Sequence, residues 1–242
     1  MTDNHQDIEL GRLAAEVSAA AITARKYRKK DFWTPYPKQS EFFSSGALFR
    51  ERGLFGGTQV GKTETGAFEM SCHLTGEYPP DWTGRKWDRA IRAWCVGENM
   101  KMLRDIIQRK LAGEPGDVES FGSGMIPREA FVGGMDGQVL AHGSEKNAFD
   151  TIYIKHVSGA TSVLRFRSYS AGAVALQGES LDLVWMDEDP GDDAIYSECL
   201  ARTAATGGML MITFTPLQKA GGSTSHRFLQ EHSPQRTFVS SV

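Results

Sequence analysis

Cysteine is scarce in this sequence: only Cys72, Cys95 and Cys199 occur, far apart and without a CxxC or Cys/His pairing. That excludes a disulfide framework, argues against a structural zinc site, and makes the cytoplasm the expected compartment. No apolar run approaches the ~18 residues of a membrane-spanning helix, so no membrane partner is expected. Met1 to Glu9 is polar and acidic and lacks the apolar segment of a secretory signal. A basic surplus is missing too, since 27 Lys+Arg against 30 Asp+Glu give a formal net charge of −3. Such a balance argues against coating nucleic acid through a basic surface but leaves room for a brief grip through a local patch. There is no internal repeat and no low-complexity segment. What remains is an ordinary globular mixture, 242 residues with 40% hydrophobic and 24% charged side chains, enough for one large α/β core.

Leu10, Leu13, Val17, Ala20 and Ala24 recur at helical spacing, so the N-terminal stretch reads as a helix. It ends in Arg25, Lys26, Arg28, Lys29 and Lys30, read as a solvated helix end whose cations suit the dipole. Thr34-Pro35-Tyr36-Pro37 breaks it. Strands and helices then alternate. Leu54-Phe55 is an apolar stub before a glycine-rich loop, and a helix is expected from Lys62 to about Leu74, closed by Gly76. Ile91 to Val96 reads as a buried strand and Met100 to Leu111 as a helix stopped by Gly113. Residues 113–150 are rich in glycine, poor in periodicity, and read as an irregular insertion. Thr151 to Val157 and Val163 to Tyr169 flank Ser158-Gly159-Ala160-Thr161, a hairpin signal. Leu181 to Met186 is a strand ending in acids, followed by a helix around Ala194 to Ala205 and a strong strand, Met209 to Phe214. A Gly/Ser loop after Pro216, a short helix near His226 to Glu231 and a strand-like tail from Thr237 to Val242 complete the pattern. This alternation indicates a mainly parallel sheet covered on both faces.

The chemistry concentrates in two motifs. Gly56-Gly57-Thr58-Gln59-Val60-Gly61-Lys62-Thr63 matches GxxxxGK followed by Ser or Thr, the phosphate-binding loop. Glycines let the backbone turn so that successive N–H groups converge on phosphate oxygens, and the helix that follows directs its positive end at the same anion. Lys62 would reach the β and γ phosphates of ATP, and the Thr63 hydroxyl would ligate Mg²⁺. Leu183-Val184-Trp185-Met186 places Asp187 at the C-terminal edge of a buried strand, where open α/β sheets bind ligands. Asp187 would hold Mg²⁺ through its water shell, and Glu188 would orient or deprotonate an attacking water. Asp189 reads as a helix-capping or loop acid. Gln39 carries an amide able both to donate to and accept from an adenine edge. Thr213-Phe214-Thr215-Pro216 follows the last strong strand; its hydroxyls suit a γ-phosphate sensor as well as plain turn chemistry.

In order, PKQ at 37–39, GGTQVGKT at 56–63, LVWMDE at 183–188 and TFTP at 213–216 resemble the ATPase domain of the large terminase subunit of tailed bacteriophages. HLTG at 73–76, IKHVSG at 154–159 and ITFTPL at 212–217 are further matching phrases. The resemblance spans about Phe32 to Val242. It implies an α/β fold of the RecA-like (ASCE-type) P-loop NTPase kind, a mainly parallel sheet flanked by helices with a β-hairpin insertion. Residues 1–31 are then an N-terminal arm and residues 32–242 the ATPase domain. The implied activity is Mg²⁺-dependent ATP hydrolysis that drives double-stranded viral DNA through a portal protein into a procapsid in the host cell cytoplasm. Implied partners are a small terminase subunit and further copies of the chain in a homo-oligomeric ring. In that family Lys62 and Thr63 would grip the nucleotide, Asp187 the metal, Glu188 would be the catalytic acid, and Thr213 and Thr215 would couple hydrolysis to movement. A C-terminal nuclease domain is expected to begin about where the chain stops. Two departures leave the charge-stabilising arginine unassigned: Gln59 stands where many relatives have Arg in the loop, and Gln177-Gly178 where others have Arg-Gly. Arg202, Arg165 and Arg167 are the candidates. One lobe of a two-lobed helicase, and a regulatory module that binds ATP without hydrolysing it, are also compatible with the sequence.

Overall fold

Runs of apolar residues too short for helices form the middle of the molecule. In the computed structural model, which describes residues 3–143, 145–216 and 223–240, these runs become strands of one eight-stranded sheet. Its members are β1 (Glu51–Phe55), β2 (Arg92–Gly97), β3 (Val139–Leu140), β4 (Phe149–Lys155), β5 (Thr161–Ser168), β6 (Leu183–Asp187), β7 (Met209–Phe214) and β8 (Arg236–Ser240). They lie in the order β3-β4-β5-β2-β6-β7-β1-β8. Neighbours from β5 to β8 are parallel, while β3 and β4 pair antiparallel at one edge. The hairpin is therefore no separate appendage: β5 pairs with β2 and extends the central sheet.

Helices α1 (Asp3–Tyr27), α2 (Pro37–Ser45) and α3 (Lys62–Thr75) come first. Next, α4 (Met100–Met102) passes through a π-helical segment, Leu103–Gln108, into α5 (Arg109–Ala112). Helices α6 (Asp193–Arg202) and α7 (Ser223–Leu229) complete the set. Because side chains alternate across a strand, the sheet feeds two cores. Leu54, Cys95, Leu183, Trp185 and Met211 pack with residues of α2, α3 and the 103–112 helix. Phe55, Val96, Met186, Leu210 and Ile212 pack with Ile195 and Tyr196 of α6 and Phe228 of α7. Helix α3 lies so close on β6 that Gly66 is required, since a Cβ there would stand 2.3 Å from the Trp185 ring.

Charge is also buried. Arg52 of β1 bonds Glu69 of α3 at 2.6 and 3.2 Å and the Phe42 carbonyl of α2 at 3.0 Å. His73, one turn after Glu69, completes the cluster at 3.2 Å from its carboxylate and 3.0 Å from the Tyr78 hydroxyl. Burial holds the His73 pKa below its usual value despite the neighbouring Glu69. One end of the cluster is thus neutral, and the charge pair proper is Arg52–Glu69.

Arg25 and Lys26 are exposed, as a solvated helix end requires, but the rest of the basic cluster departs from that reading. Lys30 is 5% exposed and donates to Thr75 at 3.0 Å and Glu77 at 2.7 Å. Arg28 pairs with Asp31, Glu77 and Glu129, and Lys29 with Glu64. These cations meet carboxylates far along the chain, a complement that helical periodicity does not report. The helix itself forms, yet Leu10, Leu13 and Val17 are exposed. Of the Gly/Ser loop expected after Pro216, residues 217–222 lie outside the described residues, as do the last two residues of the tail, and α7 already begins at Ser223.

Removing one partner of a buried ion pair costs about 3–5 kcal/mol. Glu69→Ala is expected to lower the unfolding free energy by about that amount in a urea titration. Lys38→Ala, which removes an exposed pair with Glu41, should change it by less than about 0.5 kcal/mol.

Candidate functional site

Strands β1, β6 and β7 end at the same edge of the sheet, because Phe55 pairs with Phe214 and Asp187 with Thr213. Strand β7 stands between the strand that feeds the glycine loop and the strand that ends in acids. The loop and the acids therefore emerge from strands that stand one strand apart, roughly 10 Å at strand spacing.

The loop turns tightly. Gln59 (φ 65°) and Gly61 (φ 81°) are both left-handed, and Gly61 caps α3 at its N-terminus. The Lys62 ammonium curls back over the loop and donates to the Gly56 carbonyl at 3.1 Å, the Gly57 carbonyl at 2.6 Å and the Thr215 hydroxyl at 2.9 Å. All three acceptors are neutral, so an anion entering the loop competes for the ammonium on favourable terms.

Across the gap, Asp187 accepts from Thr213 Oγ1 at 2.7 Å and lies 3.4 Å from Thr63 Oγ1. Burial pushes its carboxyl up to about 6, with Glu188 adding to the rise and Thr213, Thr63 and Lys62 opposing it. A carboxylate and a hydroxyl converging here are hard oxygen donors, the set Mg²⁺ takes beside phosphate oxygens. Among the described residues no group of three or more His, Cys, Asp or Glu side chains gathers to hold a metal. Asp187 and Thr63 are the residues that would hold a cation here. The residues fit Mg²⁺ with a nucleotide.

Glu188 is left-handed as well (φ 65°), and its carboxylate accepts the Thr215 N–H at 3.0 Å. Beside Asp187 and Glu188 lies a cleft of about 380 Å³ walled by Met102, Leu103, Ile106 and Ile107. Glu188 itself is solvent-exposed at the mouth of this cleft.

The remaining expected residues fall in different places. Gln39 is buried; its amide oxygen accepts the Tyr36 N–H at 2.7 Å, and its amide nitrogen lies 3.5 Å from the Gly61 carbonyl. It braces the loop, while its neighbour Tyr36 is the exposed aromatic. Thr213 is fully buried between Trp185 and Asp187, so of the two threonines only Thr215 meets the loop lysine. Asp189 is a loop acid, accepting from Gly191 N and Thr224, and Asp192 is the residue that caps α6. Arg202 stands at the wrong edge for its own site. Its carbonyl accepts the Leu181 N–H, at the start of the strand that ends in Asp187, and its guanidinium pairs with Glu198. Arg165 is paired with Glu179, and Arg167 with Asp150. Two residues escape a reading of the sequence: Tyr169, bonded to the carbonyls of both acids, and Tyr36, whose N–H is held by the Gln39 that braces the loop. Tyr36 sits in the helix-breaking Pro-Tyr-Pro, where its signal is masked by punctuation. Tyr169 carries no local signal.

A glycine loop capping a helix, an acid pair one strand away and an intervening parallel strand define a RecA-like P-loop NTPase. Within that class the match is narrower. The family described as "Terminase large subunit, T4likevirus-type, N-terminal" matches residues 54–229, and the chain belongs to it. The large terminase subunit of Salmonella phage P22 is 31% identical over 253 aligned positions, covering 98% of this chain and 48% of that protein. The chain thus spans about half the length of that curated relative. Among solved structures, the large terminase ATPase domain of Thermus phage P74-26 superposes with a TM-score of 0.58 at 16% identity, covering 89% of this chain and 84% of that one. A large terminase from a thermophilic bacteriophage, solved in complex with ADP, gives a TM-score of 0.54 at 14% identity, covering 85% and 45%. At these identities the structural likeness is one of fold. Family membership separates the chain from the helicases that share its motif order.

Since folded Asp187 binds its proton more tightly than the unfolded carboxyl (3.8), ligand-free stability should fall as pH rises from about 4 to about 6. The loss amounts to no more than about 3 kcal/mol. Asp187→Asn is expected to flatten this dependence and to raise the melting temperature at pH 7.5 in EDTA, read by scanning fluorimetry across pH.

Proposed function

We propose that this chain is the ATP-hydrolysing motor part of a large terminase subunit, using Mg²⁺ and ATP to drive double-stranded DNA through a portal into a procapsid. The observation that carries this reading is the convergence of Lys62, Thr63, Asp187, Glu188 and Thr215 on one sheet edge. The thermophilic-phage relative, described in complex with ADP, supports a nucleotide as the ligand.

On this reading the loop N–H groups and the N-terminus of α3 receive the phosphates. Lys62 leaves the Gly56 and Gly57 carbonyls for a phosphate oxygen, and Thr63 and Asp187 hold Mg²⁺. The ion, when bound, neutralises charge between the β and γ phosphates. Tyr36 offers the adenine an aromatic face beside the loop. Glu188 orients the attacking water and takes its proton. Thr215 touches Lys62 through its hydroxyl and Glu188 through its N–H. One residue therefore senses the phosphate-binding cation and the catalytic acid together, a physical basis for coupling hydrolysis to movement after β7. A module that only binds ATP has no use for a carboxylate held in this way. Among the described residues no arginine side chain is seen bonded to Thr63, Asp187, Glu188 or Thr215, which favours an arginine supplied by a neighbouring subunit in a ring. Portal, small terminase subunit and DNA are the partners this role requires, in the host cell cytoplasm.

Glu188→Gln should lower kcat for phosphate release by about 10²–10⁴-fold while ATP still binds. Lys62→Ala should weaken ATP binding itself, read by fluorescence titration. Wild-type turnover in Glu188→Gln overturns the assignment. Turnover per subunit should also rise with protein concentration, and a rate independent of concentration would exclude the shared arginine.

A further inference from the structure

Glu188 occupies a backbone region that side chains with a Cβ rarely adopt, so something must hold it there. Its own N–H donates to the Thr213 carbonyl at 2.8 Å, which fixes one side of the residue. Its carbonyl is held, among the described residues, by one hydroxyl. Tyr169 Oη lies 3.1 Å from the Glu188 carbonyl and 3.3 Å from the Asp187 carbonyl, sharing one proton between the two acids' own peptide groups.

Tyr169 follows β5 directly and is 6% exposed within the second core. Burial pushes its pKa well above the ordinary value, with the nearby carboxylates adding to the rise, so the hydroxyl stays protonated and remains a donor. Phenylalanine would fill the same volume. The hydroxyl is needed only for what it bonds, and what it bonds is the peptide turn that carries both acids.

We propose that Tyr169 is a positioning residue for hydrolysis: its hydroxyl clamps the left-handed turn at Asp187–Glu188 and so aims the Glu188 carboxylate. The proposal rests on Glu188 being the catalytic acid. With the clamp in place the carboxylate is held ready by Thr215 N–H on one end and by its own fixed backbone on the other. Without it the turn relaxes toward ordinary backbone angles, and the carboxylate moves with it. The glycine loop and Lys62, which receive the phosphates, make no hydrogen bond to Tyr169 among the described residues.

The test is Tyr169→Phe, alone and combined with Glu188→Gln, in the otherwise unaltered protein. Steady-state and single-turnover hydrolysis of ATP are read beside ATPγS affinity and melting temperature. The expected result is a kcat lower by about three- to tenfold, the value of one hydrogen bond, with KM and ATPγS affinity unchanged. In the Glu188→Gln background Tyr169→Phe should cause no further loss, because on this proposal the clamp speeds hydrolysis by aiming that carboxylate. A residue that merely supported the fold would instead lower ATPγS affinity and melting temperature together. If the melting temperature falls, rates are compared well below the lower transition and per ATPγS-titrated site, so that unfolded protein is not counted. Unchanged kcat in Tyr169→Phe, with Glu188→Gln inactive, overturns the proposal and leaves the assignment of Glu188 standing. A full further loss in the Glu188→Gln background also overturns it. Wild-type turnover in Glu188→Gln overturns both.

Discussion

The hydrogen bond from Thr213 to Asp187 joins two neighbouring strands at the point where the chemistry is placed. It belongs to a closed circuit. Trp185 packs against Gly66 of α3, and its indole N–H donates to Thr213 Oγ1 at 2.9 Å. Thr213 then donates to Asp187, and Asp187 is within 3.4 Å of the Thr63 hydroxyl on the first turn of the same helix. A threonine hydroxyl can accept and donate at once, which is what this position uses. The circuit sets the height of α3 above the sheet and the place of the buried carboxylate together. Packing and site are not separable here.

Two kinds of buried charge serve this arrangement. Arg52 and Glu69 neutralise each other between β1, α2 and α3, and fix how the loop strand meets the loop helix. Among the described residues Asp187 has no such partner. Hydroxyls hold it, and burial raises its pKa to about 6. Strain has collected at the same edge, in Gln59 on the loop and Glu188 beside the acid. Local rules are broken where function requires it, and the circuit around Thr213 and the clamp from Tyr169 hold the exceptions.

What could be read from the sequence was local. Gly56 to Thr63 and Leu183 to Glu188 declare themselves because phosphate loops and strand-end acids need particular residues in particular order. The helix from Lys62 and its stop at Gly76 follow from periodicity and capping, and Gly76 is indeed left-handed. Other features needed the third dimension. Nothing in the spacing says that β7 inserts between β1 and β6, so the division of labour between Thr213 and Thr215 was invisible. Arg202 looked eligible because it follows the acids along the chain, yet its helix carries it back to the far edge. Lys30 looked like a solvated helix end because its partners, Thr75 and Glu77, lie on the other side of the glycine loop. Tyr169 is a single aromatic at a strand end, and its meaning exists only in the two carbonyls it meets.

The attachment of α1 has a consequence of its own. Lys29 and Lys110 share the carboxylate of Glu64, the residue next to Thr63, while Arg28 joins Glu77 and Glu129. Lys29 and Arg28 are partly exposed, whereas Lys30 is enclosed. Dissolved salt screens the first two and scarcely touches the third. The end of α1 is therefore fastened by contacts of unequal sensitivity to ionic strength, and in concentrated salt the weight shifts to Lys30 and to the neutral hydrogen bond from the Tyr27 hydroxyl to the Glu119 carbonyl.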